Sequence, residues 1–500
     1  MSYEMIAILM FSGMMLMLMT GQRVFGAIGF IGAVAGMALW GVGGSDIPFA
    51  AAMKLMKWYP MLTLPMFIFM GYVLSESKIA DDLYKMFHVW MGPVKGGLAI
   101  GTIGLMVLVS AMNGLSVAGM AIGATIALPE LLRRGYDKIL VTGVVQAGSS
   151  LGILVPPSVV LVLYAMIARQ PVGQLWLAGV LPGLMMAVMF IVYIYIRARL
   201  QPNLGPAMTP EDLAEYEQVS DHPLRLNYIV LATLVMLPLL IMAGLAGPKA
   251  TLGIAIVASV ASFALRHNPM FFTDVYMKEK HRLLFSGVLP LAIFAAMMVP
   301  FINGWTSLVE SSAIGAMTAF VAAVLKGRMN KEVFEISVRS TLGISCMFMW
   351  IILAALGFGA IFDGLGAVNA IKDLFTSQLG LSPWMILILM QVSFLLMGTF
   401  LDDTAMLVIV APLYVPLVGE LGFDLIWYGV LYTITTQIAY MTPPFGYNLF
   451  LMRAMAPPEI GLRDIYVSII PFALIMVLAL SLVMAFPQIA TWLPDYVYGR

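Results

Sequence analysis

The chain has 500 residues, of which 61% are hydrophobic and 10% are charged, and its formal net charge is zero. This composition excludes a soluble globular protein, and the zero net charge gives no sign of a nucleic-acid-binding surface. It predicts an all-α polytopic membrane protein, because several apolar stretches are each long enough to cross a hydrocarbon core of about 30 Å. Examples are Tyr3–Met19, Val24–Trp40, 228–246 and 467–486.

Signatures of enzymes, redox chemistry and secretion are missing. The single cysteine, Cys346, is expected to be a packing residue, since alone it builds neither an internal disulfide nor a thiolate metal site. The first residues lack a basic n-region, so no cleavable signal is expected. No zinc-protease, nucleophile-elbow or Walker A motif occurs. These features argue against an enzyme, a cofactor and ATP-driven transport, and they favour coupling to an ion gradient. The four histidines are dispersed at His88, His222, His267 and His281.

Two amphipathic segments, 77–91 and 363–378, are predicted to lie along the membrane interface as arms that brace the core. Each arm is followed by a helix pair, 99–128 in the first half and 385–417 in the second, whose middle is polar and rich in glycine. Each pair is either two full spans or one re-entrant hairpin with its tip at mid-membrane. We favour hairpins, because the polar residues would otherwise recur in a loop without a reason to do so.

A double proline interrupts apolar sequence in each half of the chain, at Val155-Pro156-Pro157-Ser158 and at Thr442-Pro443-Pro444-Phe445. Proline removes a backbone donor and clashes with the preceding turn, so both positions predict broken helices. The two breaks lie 443 − 156 = 287 positions apart, and the same offset joins Pro129 to Pro416 and Asp137 to Asp424. The chain is therefore predicted to contain one structural repeat twice, and broken helices in equivalent positions point to a transporter's binding site.

The loop charges predict that the two repeats are inverted. Arg133, Arg134 and Lys138 flank the turn of the first repeat, whereas the equivalent turn of the second contains no lysine or arginine. The positive-inside rule then places the first turn in the cytoplasm and the second outside. Lys54 and Lys57 would lie outside as well, against this rule.

The hairpin tips and the broken helices supply the candidate ion- and substrate-binding residues. Hard cations prefer oxygen ligands, and helix N-termini favour anions. Each of these hydroxyls can equally serve helix packing. The candidates of the first repeat are Asn113, Gly114, Ser116, Ser149, Ser150, Pro156, Pro157 and Ser158. Those of the second are Asp402, Asp403, Thr404, Thr435, Thr436, Thr442, Pro443, Pro444, Gly446 and Asn448.

Acidic residues in apolar sequence carry the strongest signal, because each costs about 2.5 kcal/mol or more to insert. Asp402 and Asp403 are therefore predicted to help bind a cation, with capping of the next helix as the alternative. Together with Thr404 and Thr442 they form the predicted sodium site. Glu310 also lies in apolar sequence, where a bridge between helices is expected.

Long ordered motifs cover both repeats. The first repeat contains 128–138, Leu151-Gly152-Ile153-Leu154-Val155-Pro156-Pro157-Ser158 and 177–183, and the second contains 398–405 and 441–450. At these residues the chain resembles the large membrane (M) subunit, DctM-like, of tripartite ATP-independent periplasmic (TRAP) transporters. The resemblance covers most of the chain and is poor over 201–282.

This resemblance implies an elevator-type transporter, in which a core of hairpins and broken helices moves against a scaffold. It implies sodium-coupled uptake of a small organic acid such as a dicarboxylate across the bacterial inner membrane. A periplasmic substrate-binding protein would deliver the acid, and a separate small membrane subunit of four helices would complete the scaffold. The alternatives are a binding-protein-independent carrier of organic anions and, from another class, a membrane-embedded lipid enzyme.

Two departures from the family pattern concern the site. Leu115 replaces an expected hydroxyl at the first hairpin tip, and Thr306-Ser307-Leu308-Val309-Glu310 replaces a Thr-Pro-Thr-Glu sequence. The better-defined ion site is therefore expected in the second repeat. The predicted segments are scaffold helices with the first arm (1–95), the first core repeat (96–200), polar loops with two extra spans (201–282), scaffold helices with the second arm (283–382) and the second core repeat (383–500).

Overall fold

A computed structural model describes residues 2–20, 22–44, 46–113, 116, 119–120, 123–218, 224–227, 253–254, 257, 261, 272–276, 278–373, 380–398, 403–443 and 446–499. These residues are almost entirely helical, which confirms the predicted fold class. One short pair of strands is the exception within this part of the chain.

The chain begins with six helices. Helix α1 is Tyr3–Met19, as predicted, and Ser2 caps it by accepting a hydrogen bond from the amide of Met5 at 3.4 Å. Helix α2 continues directly into a π-helical turn, so the two together fill the predicted span. The elements are α2 (Val24–Ala35) with the turn Gly36–Trp40, α3 (Asp46–Met56), a 3-10 turn (Tyr59–Leu62), α4 (Thr63–Glu76), α5 (Ile79–Met91) and α6 (Gly97–Asn113).

Helix α5 is the first of the two predicted arms. It starts after Lys78, whose φ of 55° ends the preceding turn in the left-handed region. Leu83 and Tyr84 are buried while Lys85 and Trp90 are exposed, so the helix has the one-sided character that the sequence predicts.

The first core repeat begins with α6 and continues through short helices to the long helix α10. Asp137 caps the second of these short helices by accepting a hydrogen bond from the amide of Leu140 at 2.9 Å, and Asp424 does the same for Trp427 at 2.8 Å. The offset of 287 positions therefore also relates two helix caps. The elements are a π-helical turn (Gly123–Ala127), α7 (Leu128–Arg133), α8 (Lys138–Ser150), a 3-10 turn (Leu151–Ile153), α9 (Val159–Ala168) and α10 (Val172–Leu200).

The polar region after α10 contains a 3-10 turn, Pro202–Leu204, and helix α11, Pro210–Glu217. Strands β1 (Leu224–Asn227) and β2 (Phe272–Val275) pair antiparallel, with Leu224 opposite Val275. The extra spans predicted for this region lie outside the described residues.

Four helices connect the two core repeats: α12 (Glu279–Ile302), α13 (Leu308–Leu325), α14 (Lys331–Gly364) and α15 (Ala367–Asp373). Helix α14 runs through the predicted start of the second arm, because nothing in its sequence breaks the helix before Gly364. The described part of that arm is therefore the short helix α15, and its predicted end lies outside the described residues.

Two sequence expectations are corrected in this region. Glu310 does not bridge helices: it accepts a hydrogen bond from the amide of Ser307 at 2.7 Å in a capping box at the start of α13. A serine three positions before a glutamate is the local signal that decides this role. Cys346 is exposed on α14 rather than packed in the core.

The second core repeat closes the chain. Its elements are α16 (Pro383–Gly398), α17 (Asp403–Glu420), α18 (Leu425–Met441), α19 (Tyr447–Met455), α20 (Leu462–Ala485) and α21 (Gln488–Tyr498).

Five helices of the described part, α10, α12, α13, α14 and α20, are long and apolar enough to cross a membrane. In α10 the exposed side chains Leu184, Val188 and Val192 recur every four residues and form an outward apolar stripe. Such a stripe is stable against lipid and would be unfavourable in water.

Both helix pairs pack against the helices that the double prolines interrupt. At the end of α16, a Cβ atom added to Gly398 would lie 2.5 Å from the Cβ of Ala439, which is close to the end of α18. In the first repeat, a Cβ added to Gly148 would lie 2.7 Å from the Cγ of Met106 on α6. The second pair consists of α16 and α17, with 16 and 18 residues. Its tip, 399–402, lies outside the described residues, so the re-entrant hairpin stays a prediction.

Candidate functional site

The first break separates α8 from α9. Helix α8 tightens into the 3-10 turn Leu151–Ile153, and the Pro156–Pro157 bond that follows is cis. Ser158 then starts α9: its hydroxyl donates to the carbonyl of Ile153 at 2.5 Å and accepts from the amide of Leu161 at 3.2 Å. The hydroxyl of Ser158 therefore forms one hydrogen bond on each side of the break, as expected for a helix cap.

Helix α10 packs against this break through small residues. A Cβ atom on Gly179 would lie 2.4 Å from the carbonyl oxygen of Leu154, and one on Gly183 would lie 2.7 Å from Val155. Trp176 donates from Nε1 to the carbonyl of Ser158 at 3.3 Å. The motif at 177–183 is therefore explained by close contact between α10 and the broken backbone.

The second break separates α18 from α19. Thr442 donates its hydroxyl to the carbonyl of Ile438 at 2.6 Å, and its own carbonyl accepts from the amide of Gly446 at 3.2 Å. A Cβ atom on Gly446 would lie 2.4 Å from the carbonyl oxygen of Tyr440, so only glycine fits this turn. Pro443 is exposed beside it.

One asparagine connects the two breaks. Asn448, in the first turn of α19, is fully buried and donates from Nδ2 to the Oγ of Ser149 at 3.5 Å. Its Oδ1 accepts from the hydroxyl of Ser116, at the first hairpin tip, at 3.4 Å. Three of the residues predicted from the sequence, taken from three irregular segments and both repeats, therefore meet in one place.

The remaining hydroxyl candidates on the broken helices satisfy their own backbone. Because each donates its proton to a neighbour, its lone pairs are left to face a cation or a water molecule. The bonds are Ser149 to the carbonyl of Gln146 (2.8 Å), Ser150 to that of Ala147 (2.8 Å) and Thr436 to that of Thr433 (2.8 Å). The single hydroxyl proton of Thr435 is shared between the carbonyl of Leu431 (2.9 Å) and Oε1 of Gln391 (2.5 Å).

The predicted sodium ligands of the second hairpin tip are only partly placed. Asp403 and Thr404 begin α17. Asp402, Gly114 and Pro444 lie outside the described residues, as do the side chains of Asn113, Asp403 and Thr404. Within the described chain no group of three His, Cys, Asp or Glu side chains could hold a metal ion.

Three buried glutamines belong to this region and were missed by sequence reasoning. Gln146 donates to Ser468 on α20 at 3.2 Å, and Gln391 accepts from Thr435. The side-chain oxygen and nitrogen of Gln437 are both buried without a hydrogen-bond partner. An amide inside an otherwise apolar helix is the signal that could have revealed them.

Gln437 has a defined place in the repeat. It lies five residues before Thr442, and Ser150 lies five residues before Val155, so the two are related by the offset of 287 positions. Ser150 is satisfied by its own helix, whereas Gln437 is not. An unpaired buried amide costs about 1–3 kcal/mol, so Gln437 is a position where a water molecule or a ligand would be stabilised.

A separate polar cluster lies where α5 meets α13 and α14. Asp82 is buried and accepts from Lys326 at 2.5 Å and from Arg328 at 3.0 Å. These pairs fasten the first arm to the loop between α13 and α14.

Two helices broken at equivalent points of a repeat, in a chain with several apolar spans, indicate a multi-pass membrane transporter. The family model of the tripartite ATP-independent periplasmic transporter, DctM component, matches residues 11–247 and 227–489. The chain belongs to this family and is therefore a transporter component and not an enzyme.

Named relatives agree with this family, and a solved structure shares the fold. The chain is similar to the C4-dicarboxylate TRAP transporter large permease protein DctM of Pseudomonas aeruginosa, with 27% identity over 88% of this chain and 87% of the relative. It is 26% identical to the ectoine TRAP transporter large permease protein TeaC of Halomonas elongata, over 88% and 87%. Its fold is similar to the crystal structure of the YdaH transporter of Alcanivorax borkumensis, with a TM-score of 0.60, 15% identity and coverage of 96% and 99%.

Proposed function

We propose that the chain is the large permease of a sodium-coupled importer that moves a small organic anion across the bacterial inner membrane. A periplasmic binding protein delivers the anion, and a small four-helix membrane subunit completes the scaffold. The core moves as an elevator between the two sides. Family membership and the geometry of the two breaks support this proposal.

The observation that carries the proposal is the contact of Asn448 with Ser149 and Ser116. It brings oxygen and amide groups of both repeats together at the interrupted helices, where backbone carbonyls are not used by a regular helix. A buried amide is costly unless it is hydrogen-bonded, and the two hydrogen bonds of Asn448 are long, at 3.5 and 3.4 Å.

The electrostatics of the breaks suit an anion. Helices α9 and α19 both begin at a break, and each carries partial positive charge at that end. The amide of Gln437 adds an unpaired donor and an unpaired acceptor on α18. A carboxylate oxygen can accept from the donor, while the acceptor can face a cation or a hydroxyl group.

Sodium is proposed as the coupling ion because the oxygens near the breaks are hard ligands. The proposed ligands remain Asp402, Asp403, Thr404 and Thr442. Named relatives carry solutes as different as C4-dicarboxylates and ectoine. The periplasmic partner is therefore proposed to determine solute specificity together with this chain.

The test is uptake of labelled succinate and ectoine by cells that express all three components. Replacing external sodium by choline should abolish uptake. Asp402→Ala with Asp403→Ala should do the same in sodium while leaving the amount of protein in the membrane unchanged. The matched control is Glu332→Ala with Glu335→Ala, which removes two exposed carboxylates at the start of α14.

Three outcomes would contradict parts of the proposal. Uptake that persists in choline refutes sodium coupling. Normal sodium dependence in the double aspartate variant removes these residues from the ion site. Full uptake after deletion of the periplasmic protein favours a carrier that works without one.

A further inference from the structure

A cavity of about 370 Å³ lies between the first arm and the start of a membrane span, far from the two breaks in sequence. Helix α5 contributes Tyr84, Lys85 and His88, α7 contributes Glu130, and the first turn of α12 contributes Arg282. The cavity therefore joins the arm, the first core repeat and a spanning helix.

Two buried polar groups in this wall have no partner. The hydroxyl of Tyr84 and the Nδ1 of His88 lack hydrogen bonds, although the side chains are only 7% and 6% exposed. The Nε2 of His88 lies 3.5 Å from an oxygen of Glu130, which favours a proton on Nε2 and leaves Nδ1 as an acceptor. The cavity thus offers one free donor and one free acceptor to a ligand.

The charged residues of the lining are Lys85, Arg282, Glu130 and Glu279, and Lys85 differs from the others in having no ion pair within the part of the chain that the structure describes. Glu130 accepts from Arg133 at 2.8 Å and from Arg134 at 3.1 Å, and Arg282 donates to Glu279 at 2.8 Å. Lys85 is exposed and forms no ion pair or hydrogen bond among the described residues.

Two carboxylates, Asp81 and Asp82, lie within one turn of Lys85 on its own helix, and all three residues line a neighbouring cavity. Asp82 is paired with Lys326 and Arg328, whereas Asp81 attracts Lys85 without forming an ion pair with it. Lys85 lines both cavities, so an anion at the mouth of the first cavity competes with Asp81 for its ammonium.

The position of the cavity indicates a lipid headgroup. Helix α12 starts with four charged or polar residues and becomes apolar at Leu283, so its first turn lies where a span leaves the hydrocarbon. Trp90 at the end of α5 is exposed, with the ammonium of Lys280 5.9 Å from its ring centre. Exposed tryptophan beside lysine is typical of the headgroup layer.

We propose that this cavity binds the headgroup of an anionic glycerophospholipid of the phosphatidylglycerol type. The phosphodiester accepts from the Tyr84 hydroxyl and faces the Lys85 ammonium, and a glycerol hydroxyl donates to His88 Nδ1. The acyl chains leave along the apolar surface of α12. A bound lipid would then tie the arm to the spanning helix.

The test measures lipid binding to the purified full-length chain by native mass spectrometry in mixed micelles with phosphatidylglycerol, phosphatidylethanolamine or phosphatidylcholine. Phosphatidylglycerol should be retained best. Tyr84→Phe with Lys85→Gln should raise its apparent dissociation constant about tenfold, as expected for loss of a charge-assisted hydrogen bond. The matched control is Tyr195→Phe with Lys95→Gln, which makes the same changes at exposed positions outside the cavity.

Thermal unfolding separates lost binding from lost folding. In phosphatidylcholine the Tyr84→Phe variant should be at least as stable as the parent, since it removes an unpaired buried hydroxyl. In phosphatidylglycerol it should lose the stabilisation that the parent gains. Equal retention by the cavity and control variants would overturn the proposal. So would equal retention of phosphatidylethanolamine, or displacement of the lipid by millimolar inorganic phosphate.

Discussion

Asn448 donates a hydrogen bond to Ser149, although the two residues are 299 positions apart in the chain. The acceptor belongs to the broken helix of one repeat and the donor to that of the other. Neither repeat alone can therefore complete the polar centre of the protein.

Asn448→Ala should impair transport more than folding. Its two hydrogen bonds are long, 3.4 and 3.5 Å, so their loss should lower the free energy of unfolding by about 1 kcal/mol. If the asparagine also orders the ion site, the sodium concentration for half-maximal uptake should rise about tenfold. Asn303→Ala at the exposed end of α12 is the control, and an identical sodium dependence in both variants would contradict this role.

Gln437→Leu should change stability and transport in opposite directions. The substitution removes an amide that is buried without a partner, so the melting temperature should rise or stay constant. Uptake should fall, because the proposed solute loses a donor and an acceptor. Gln170→Leu, at a glutamine that donates to the carbonyl of Ala168 at 3.2 Å, is the control. Unchanged uptake in Gln437→Leu would show that the amide does not contact the solute.

Gly179→Ala should destabilise the first break. The new Cβ would lie 2.4 Å from the carbonyl oxygen of Leu154, which forces α10 away from the broken backbone. Gly343→Ala is the matched control, because a Cβ there meets nothing within 4 Å on helix α14. It should be neutral or stabilise by up to about 1 kcal/mol through helix propensity. Equal melting temperatures for the two variants would refute the close contact at Gly179.

His88 should make stability depend on pH. Burial lowers the pKa of His88 to about 4; Glu130 opposes this shift, and Arg134 and Arg133 add to it. Between about pH 6.5 and 4 the unfolded chain binds a proton here that the folded chain does not, so stability falls as the pH falls. The full effect is about 3 kcal/mol.

The measurement is the melting temperature at pH 7 and pH 5 for the parent, for His88→Gln and for His281→Gln. His88→Gln should reduce the difference between the two pH values, while His281→Gln, at an exposed histidine, should keep it. A pH dependence that is unchanged in His88→Gln would assign the titration to another group.

Patterns of apolar length and proline placement predicted the helical class, the exact bounds of α1 and both breaks. The breaks are set by local chemistry where two prolines come together, whereas single prolines such as Pro182, Pro290 and Pro471 lie inside continuous helices. The sequence predicted that Ser116, Ser149 and Asn448 belong to the site, but it did not predict that they contact one another. These contacts depend on how helices far apart in the chain pack together. The packing of Cys346 was predicted wrongly, because a helix in lipid can expose apolar residues on any face that lacks a neighbour.

The role of Glu310, by contrast, could have been predicted from the local sequence. Its apolar surroundings suggested an intramembrane role, yet the serine three positions earlier forms a local cap that required no tertiary information. In the sequence, Gln146, Gln391 and Gln437 stand out as single amide residues within apolar stretches. Their partners, or the lack of them, followed only from the structure.

The link from Ser149 to Asn448 also has a consequence for biosynthesis. Ser149 leaves the ribosome 299 residues before its partner, a delay of about 15–60 s at ordinary rates of synthesis. During that time the first repeat sits in the bilayer without the second. During this time Ser149 can donate its hydroxyl proton to the carbonyl of Gln146 within its own helix. A carboxylate at this position would have no hydrogen-bond donor until the second repeat was made. The order of synthesis thus fits a division in which the half made first contributes hydroxyls and the half made last contributes the amide Asn448.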